Sequence, residues 1–496
     1  MKKIIRTLAF SATAALSWCA QAADPVQLSA TEALDMMRAG KLGSETLTRL
    51  YIERAKANGD LNAFITLDES GALAAARTID ALRAGGAKLG PLAGLPIVVK
   101  DNTHVAGLPS TAGTPGLKDF TPGEDAPVVA ALRRAGAVVL GKTNMHELAF
   151  GISGYNAAFH GAQVGVRNAY DRSRFAGGSS SGTGAAIGAR LAPAGLGTDT
   201  GGSSRIPAAV NGIAGFRPTV KRYAQDGIAP ISHTRDTAGP MARTVADVAL
   251  LDAVITGTKP PVAARLKGVR VGVARDYFFK NLDADTSAVI DGALAKLKKA
   301  GAIIVEVEMP GLGEINGAIS FPVALYEAYD DLAAYLQRYV PGRKVEDLAK
   351  LMASPDVKGT YDGLVIPRKL PAPENKAVDA KPIYEAAMAT HRPKLIDLYR
   401  QTFKRHRLDV LAFPTTPTVA IAQNAEASSL GNFILFIQNT DPGSNAGLPG
   451  LSIPAGLGAS GLPVGLEIDG PAGSDRRLLS IGMAIEKVLG RLPAPK

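Results

Sequence analysis

The chain is poor in the side chains that do most enzymatic proton and metal chemistry. Its 496 residues include one cysteine, one tryptophan and six histidines, and aromatics make up only 5%. Cys19 and Trp18 both lie near the start, so the rest of the chain offers no disulfide, no thiol nucleophile and no thiolate metal ligand. His146-Glu147 opens "HELAF", which lacks the second histidine of a zinc-protease helix. His104, His160, His233, His391 and His406 show no ligand spacing, so neither a metal nor a cofactor is expected. The formal charge is +10, but the basic residues are scattered, with no run of five. No nucleic-acid partner is therefore expected. Past the first residues no stretch reaches the ~20 apolar residues of a membrane span. No oligomeric state follows from the sequence.

The first 22 residues read as a secretory leader. Lys2, Lys3 and Arg6 precede an apolar run from Leu8 to Leu16, and Ala20-Gln21-Ala22 is a small-x-small cleavage site. The expectation is a signal peptide over 1–22, cut after Ala22, and a periplasmic or secreted protein. Lipidation at Cys19 is the alternative, and bulky Trp18 argues against it.

Residues 23–496 read as one α/β unit with a mixed central sheet, helices on both faces and a helical insertion. Ser29-Ala30-Thr31-Glu32 is a capping box that opens a helix closed by Gly40. A second helix runs from Ser44 to near Gly59, and a third from Asp68 to Ala84. The segment from about 23 to 90 is thus expected to be helical, followed by a catalytic core over about 91–260. "LPIVVKDN" supplies a buried strand that ends at Lys100, where a charge is costly. "LRRAGAVVL" (132–140) and "LKKAGAIIV" (297–305) each read as a helix, a glycine and a strand. "RVGVARD" (270–276) and "LDVLAFPT" (408–415) add strands, and about 310–405 reads as the helical insertion.

Two motif matches fail on context. Gly136 to Thr143 fits the phosphate-loop pattern, but a helix precedes it and Ala-Val-Val-Leu is strand material. Gly178-Ser179-Ser180-Ser181-Gly182 fits a nucleophile elbow, but its lead-in "YDRSRFA" is polar where that elbow needs an apolar strand. No S-x-x-K occurs.

The chemistry concentrates in residues 175–208, "FAGGSSSGTGAAIGARLAPAGLGTDTGGSSRIPA". Two Gly-Gly-Ser turns place Ser179 and Ser203 24 residues apart, with a small-residue helix expected from about Gly184 to Arg190. Successive amides in a Gly-rich turn can cradle an oxyanion. No histidine lies near enough in sequence to suggest the base. With Lys100 on its strand, "GKTNMHELAFG" (141–151) and "NTDPGSNAGLPGLSIPAG" (439–456), this segment resembles the amidase signature family over nearly the whole chain after the leader.

That resemblance implies a serine amidohydrolase in which Lys100 is the base, Ser179 the bridging serine and Ser203 the acylated nucleophile. It implies a cis peptide before Ser179, an oxyanion hole from the backbone N–H groups of Thr200, Gly201, Gly202 and Ser203, and structural support from Asp199 and Arg205. Burial would leave Lys100 neutral enough to accept a proton. Two positions depart from the family pattern. Ser181 stands where glycine is usual, and Ser204 stands where an aliphatic residue is usual, which would loosen packing behind the nucleophile. "GLPSTAGTPGL" (107–117), "IAPISHTRDTAGPMARTVAD" (228–247) and "QNTDPGSNAGLPG" (438–450) resemble the branch that cleaves primary amides of arylacetic-type acids. The expected partner is a small amide with an apolar or aryl acyl group. The alternatives are an amidase-like subunit of a tRNA-dependent amidotransferase and a non-catalytic periplasmic binding protein on the same fold.

Overall fold

The computed structural model describes residues 24–159, 165–372 and 376–495. The leader, with Trp18, Cys19 and the expected cut after Ala22, lies outside the described residues, as does His160. Strands are numbered in chain order: β1 Phe64–Leu67, β2 Pro96–Lys100, β3 Val138–Thr143, β4 Ala194–Asp199, β5 Ala214–Arg217, β6 Thr237–Ala242, β7 Arg270–Val273, β8 Ile303–Glu306, β9 Lys369–Ala372, β10 Lys376–Asp379, β11 Val410–Pro414, β12 Gly450–Leu457 and β13 Pro463–Asp469. Eleven of these described strands form one sheet in the order β1-β3-β2-β4-β6-β5-β12-β13-β11-β7-β8. It is mixed. β3, β2 and β4 run parallel, as do β11, β7 and β8, and the strands between them pair antiparallel.

Local chemistry explains most of the elements. The capping box forms: Glu32 N–H donates to Ser29 Oγ at 3.2 Å and Ser29 N–H to Glu32 Oε2 at 2.7 Å. Asp68 and Asp283 cap the helices Glu69–Ala84 and Ala284–Lys299 by accepting from the N–H groups of Gly71 and Thr286, and three lysines crowd the last turn of the second, where the helix dipole favours them. Both helix–glycine–strand turns are present, leading into β3 and β8. Ile97, Val98 and Val99 are fully buried, each stabilising the fold by about 1.5–3 kcal/mol relative to exposure.

Three expectations need correction. The N-terminal segment is not all helical, because Phe64–Leu67 forms β1 on β3 at the sheet edge. Its burial is partial throughout, so the sequence carries no alternation to read. The small-residue helix spans Ser181–Gly188, starting earlier than Gly184. The insertion also holds a β9–β10 hairpin among its helices. Leu325, Leu332, Leu336, Leu348, Val357 and Tyr361 of that insertion form an apolar cluster with Leu117 and Leu148 of the catalytic core. Among the described residues no helix is long and apolar enough to cross a membrane.

Candidate active site

β2 and β4 are parallel neighbours, so their carboxyl ends deliver Lys100 and Asp199 to the same edge of the sheet. Clefts at the carboxyl ends of parallel strands are where α/β sheets place ligands. Lys100 is fully buried, and its Nζ donates to Ser179 Oγ at 2.8 Å and to Thr198 Oγ1 at 2.7 Å. Asn102 Nδ2 donates to the same Thr198 oxygen at 3.2 Å and fixes it. No carboxylate is ion-paired with Lys100 among the described residues. Burial therefore pushes its pKa down to about 7, against a weaker upward pull from Asp199 and Asp236.

The Gly178–Ser179 peptide is cis. The turn of Ser179 and the turn of Ser203 are tied by Ser180 N–H, which donates to the Ser203 carbonyl at 3.2 Å. Ser180 Oγ in turn accepts from Thr198 N–H at 3.1 Å, locking the turn onto β4. Lys100 and Ser179 are therefore in direct contact, and Ser203 sits on the adjoining turn. No hydrogen bond joins Ser179 Oγ to Ser203 Oγ among the described residues.

Asp199 holds the Ser203 turn. Its carboxylate accepts from Gly202 N–H at 2.9 Å, from Ser204 N–H at 3.1 Å and from both Arg205 (3.0 Å, twice) and Arg217 (3.0 Å). Burial opposes its charge, but the two guanidinium groups outweigh that and hold the carboxyl well below the usual range. Arg205 continues to Glu467 Oε1 at 2.8 Å. Arg217 and Glu467 were not visible as site residues in the sequence, because they come from β5 and β13, far along the chain. Asp199 and Arg205 are both fully buried, not a solvated surface pair.

The four-donor oxyanion hole needs one correction. Gly202 N–H is spent on Asp199, which leaves the N–H groups of Thr200, Gly201 and Ser203 without a protein acceptor among the described residues. Gly202 has φ +135°, and a Cβ there would come within 2.2 Å of Thr440 Oγ1, so only glycine fits. Ser204 does not loosen the packing. Its Oγ donates to Asp199 at 3.3 Å, and a Cβ on the facing Gly239 would stand only 2.0 Å from it, so there is no room for a larger side chain. Ser181 sits in the first turn of its helix and has no positive φ, although its hydroxyl has no hydrogen-bond partner among the described residues.

Half-buried Ser203 opens into a cavity of about 440 Å³ walled mainly by apolar groups, among them Phe150, Ile152, Phe321, Leu364, Phe433 and Ile437. The insertion and the helix Leu430–Ile437 build much of that wall. A second, more polar cavity of about 710 Å³ shares Ala149, Thr200 and Ile231 with the first and reaches Thr198, Asn102 and Asp236. Asp236 accepts from Thr200 Oγ1 at 2.6 Å, and burial pushes its carboxyl up to about 6. At the rim His233 Nδ1 lies 3.0 Å from Asp331 Oδ1 and 3.7 Å from Glu327 Oε2, an ion-pair cluster that histidine spacing in the sequence could not show.

The amidase family model matches residues 46–479. The chain is 48% identical to a mandelamide hydrolase of Pseudomonas putida, over 95% of this chain and 93% of that one. It is 41% identical to an indoleacetamide hydrolase of Agrobacterium vitis, over 93% and 97% of the two chains. The peptide amidase of Stenotrophomonas maltophilia superposes with a TM-score of 0.80 at 33% identity, covering 95% of this chain and 98% of that one. With the sheet, the buried lysine and the paired glycine-serine turns, these matches place the protein in the amidase family, as an amide hydrolase.

Proposed function

We propose that the protein hydrolyses a primary amide of an arylacetic-type acid to the acid and ammonia through an acyl-enzyme on Ser203. The observation that carries this reading is Lys100 Nζ, buried without a carboxylate partner among the described residues and 2.8 Å from Ser179 Oγ. A lysine neutral near pH 7 has a lone pair to take a proton, and a serine hydroxyl both gives and accepts one. Ser203 Oγ attacks the amide carbon as its proton passes to Ser179, and the proton of Ser179 passes to Lys100. The contact between the two serines tightens as substrate fills the site. The oxyanion is held by the open N–H groups of Thr200, Gly201 and Ser203, each such donor contributing about 3 kcal/mol of transition-state stabilisation. The relay then returns its proton to the leaving nitrogen, the C–N bond breaks and ammonia departs. Water attacks the ester by the same route, releasing the acid and restoring Ser203.

The apolar cavity beside Ser203 fits an aryl or apolar acyl group, and the names of the two hydrolase relatives point the same way. Incubation with a fluorophosphonate followed by peptide mass analysis tests the reading. Labelling on Ser203, absent in Ser203→Ala and accompanied by ammonia release from phenylacetamide, is the expected result. Folded protein that takes no label would favour a binding role. We also propose that the chain is exported with loss of residues 1–22. The exported form would then start at Ala23 and show no tryptophan absorbance, and N-terminal sequencing of the secreted protein checks this.

A further inference from the structure

The edge of the sheet away from Lys100 carries two arginines that amide hydrolysis does not use. β4 begins at Ala194 and β6 ends at Ala242, and these two residues are paired. Arg190, just before β4, and Arg243, directly after β6, therefore arrive together. Both line a cavity of about 150 Å³, walled also by Gln27 and Ser29 near the start of the described residues and by Arg491 and Leu492 near their end. Arg190 is only 7% exposed and Arg243 only 8%, so both charges are held out of water. Arg190 Nη1 donates to the Ile187 and Gly188 carbonyls at 3.4 and 2.9 Å, and Arg243 Nη1 to the Val26 carbonyl at 2.7 Å. Arg190 Nε, Arg243 Nε and Arg243 Nη2 are buried with no hydrogen-bond partner among the described residues. The acids and the arginine close by are engaged elsewhere. Glu486 Oε1 accepts from Val245 N–H at 2.9 Å, Asp247 Oδ1 from Thr31 N–H at 2.8 Å, and Arg491 pairs with Glu32 at 2.9 Å. Among the described residues no carboxylate is ion-paired with Arg190 or Arg243.

We infer that Arg190 and Arg243 form a binding site for a small tetrahedral oxyanion, free inorganic phosphate or sulfate, separate from the site of hydrolysis. Other arginines of the protein show what the open edge of Arg243 is for. Nε and Nη2 of Arg205 both donate to Asp199 at 3.0 Å, and those of Arg222 to the two oxygens of Asp252 at 2.9 and 2.8 Å. Arg243 holds the same planar fork with nothing in it, and that fork matches two oxygens of a phosphate as well as it matches a carboxylate. Burying an unpaired charge is costly, and two like charges side by side add repulsion. Burial and the charge of Arg243 together push the Arg190 guanidinium down to about 10. An anion with four acceptor oxygens relieves both costs at once. The cavity has room for such an ion and not for a nucleotide. The bound ion would brace the junction between Val26, held by Arg243, and the last residues of the chain, and it would leave the relay at the opposite sheet edge alone.

The experiment is a calorimetric titration of the full-length enzyme with inorganic phosphate at constant ionic strength. One ion should bind per chain, and the melting temperature should rise with phosphate but not with chloride of equal ionic strength. Arg243→Lys, which keeps the charge and loses the fork, and Arg190→Gln should each weaken binding by about tenfold or more. Ser203→Ala should bind phosphate as the parent does. Sulfate should displace phosphate, and glucose 6-phosphate, too large for the cavity, should not. Absence of saturable binding at millimolar phosphate overturns the inference, as does binding that survives both arginine substitutions. Binding lost in Ser203→Ala would put the ion in the active site, and displacement by glucose 6-phosphate would make it a surface contact with a phosphate ester; either result overturns the assignment. Should the arginine variants not fold, a crystal of the unaltered enzyme soaked in selenate decides. An anomalous peak between the two guanidinium groups supports the site, and its absence there overturns it.

Discussion

Two lysines, both fully buried, sit one register step apart on neighbouring parallel strands: Lys100 on β2 opposite Thr143, and Lys142 on β3 opposite Val99. Alternation along the strands sends them to opposite faces of the sheet. Lys142 meets a carboxylate there. Its Nζ lies 3.3 Å from Asp101 Oδ1 and donates to Ser110 Oγ at 2.7 Å and the Pro109 carbonyl at 3.1 Å. Burial lowers its pKa, and the Asp101 carboxylate pulls back the other way. Among the described residues the partners of Lys100 Nζ are hydroxyls, those of Ser179 and Thr198. The same residue type, at the same burial on neighbouring strands, is thus ion-paired on one face and, among the described residues, bonded to hydroxyls without a carboxylate on the other. Burial alone does not make a lysine a catalyst. In the mechanism proposed above, what suits Lys100 to act as a base is burial beside acceptors that carry no charge.

Four outcomes would break or sharpen that contrast. Lys100→Ala should lower kcat for phenylacetamide by about 10³-fold while the protein stays folded, as loss of a general base requires. Ammonia release measured beside a circular dichroism melt checks it, and a near-normal rate would assign the base elsewhere. Lys142→Met should act on stability instead, costing about 3 kcal/mol in a denaturant titration, because it strands the Asp101 carboxylate in the core.

The third outcome concerns pH. Lys100 has a folded pKa of about 7 against an ordinary 10.5, so activity should climb as pH rises through about 7 and then level off. The same shift acts on stability. The unfolded chain keeps that proton up to about 10.5 and the folded chain releases it above about 7, so stability gains from this group as pH rises between the two. Lys100→Met should therefore be more stable than the parent near pH 6, with the advantage narrowing near pH 9. The Lys142→Met enzyme should keep its activity midpoint near 7. A midpoint that moved would mean that the two lysines are electrostatically one site. The smallest effect is expected from Thr198→Val, which removes one uncharged acceptor from Lys100 and should lower kcat by less than about tenfold.

Much of the scaffold was legible in the sequence because its signals are local. The capping box at Ser29, the glycine after each amphipathic helix and the β-branched run before Lys100 each follow from a handful of neighbouring residues. The serine pair and the lysine were legible only through the family resemblance, since no spacing rule links position 100 to 179 and 203. Strand β1 was missed because a half-buried edge strand of four residues has no periodicity to detect. The fate of Gly202 N–H was missed because Asp199, three residues back, competes with a substrate for it, and only the turn's geometry decides between them.

The sequence by itself determined the elements and the cast: an α/β layering, a strand ending in lysine, and two glycine-serine turns ready to bend. Those follow from backbone preferences and hydrophobic periodicity, which act over a few residues. Only the tertiary structure decided which lysine is free and which is paired, which amides stay open, and which distant groups close the site. Asp101, Thr198, Arg217 and Glu467 exert their effects through space, and electrostatic energy depends on distance and burial, not on position along the chain.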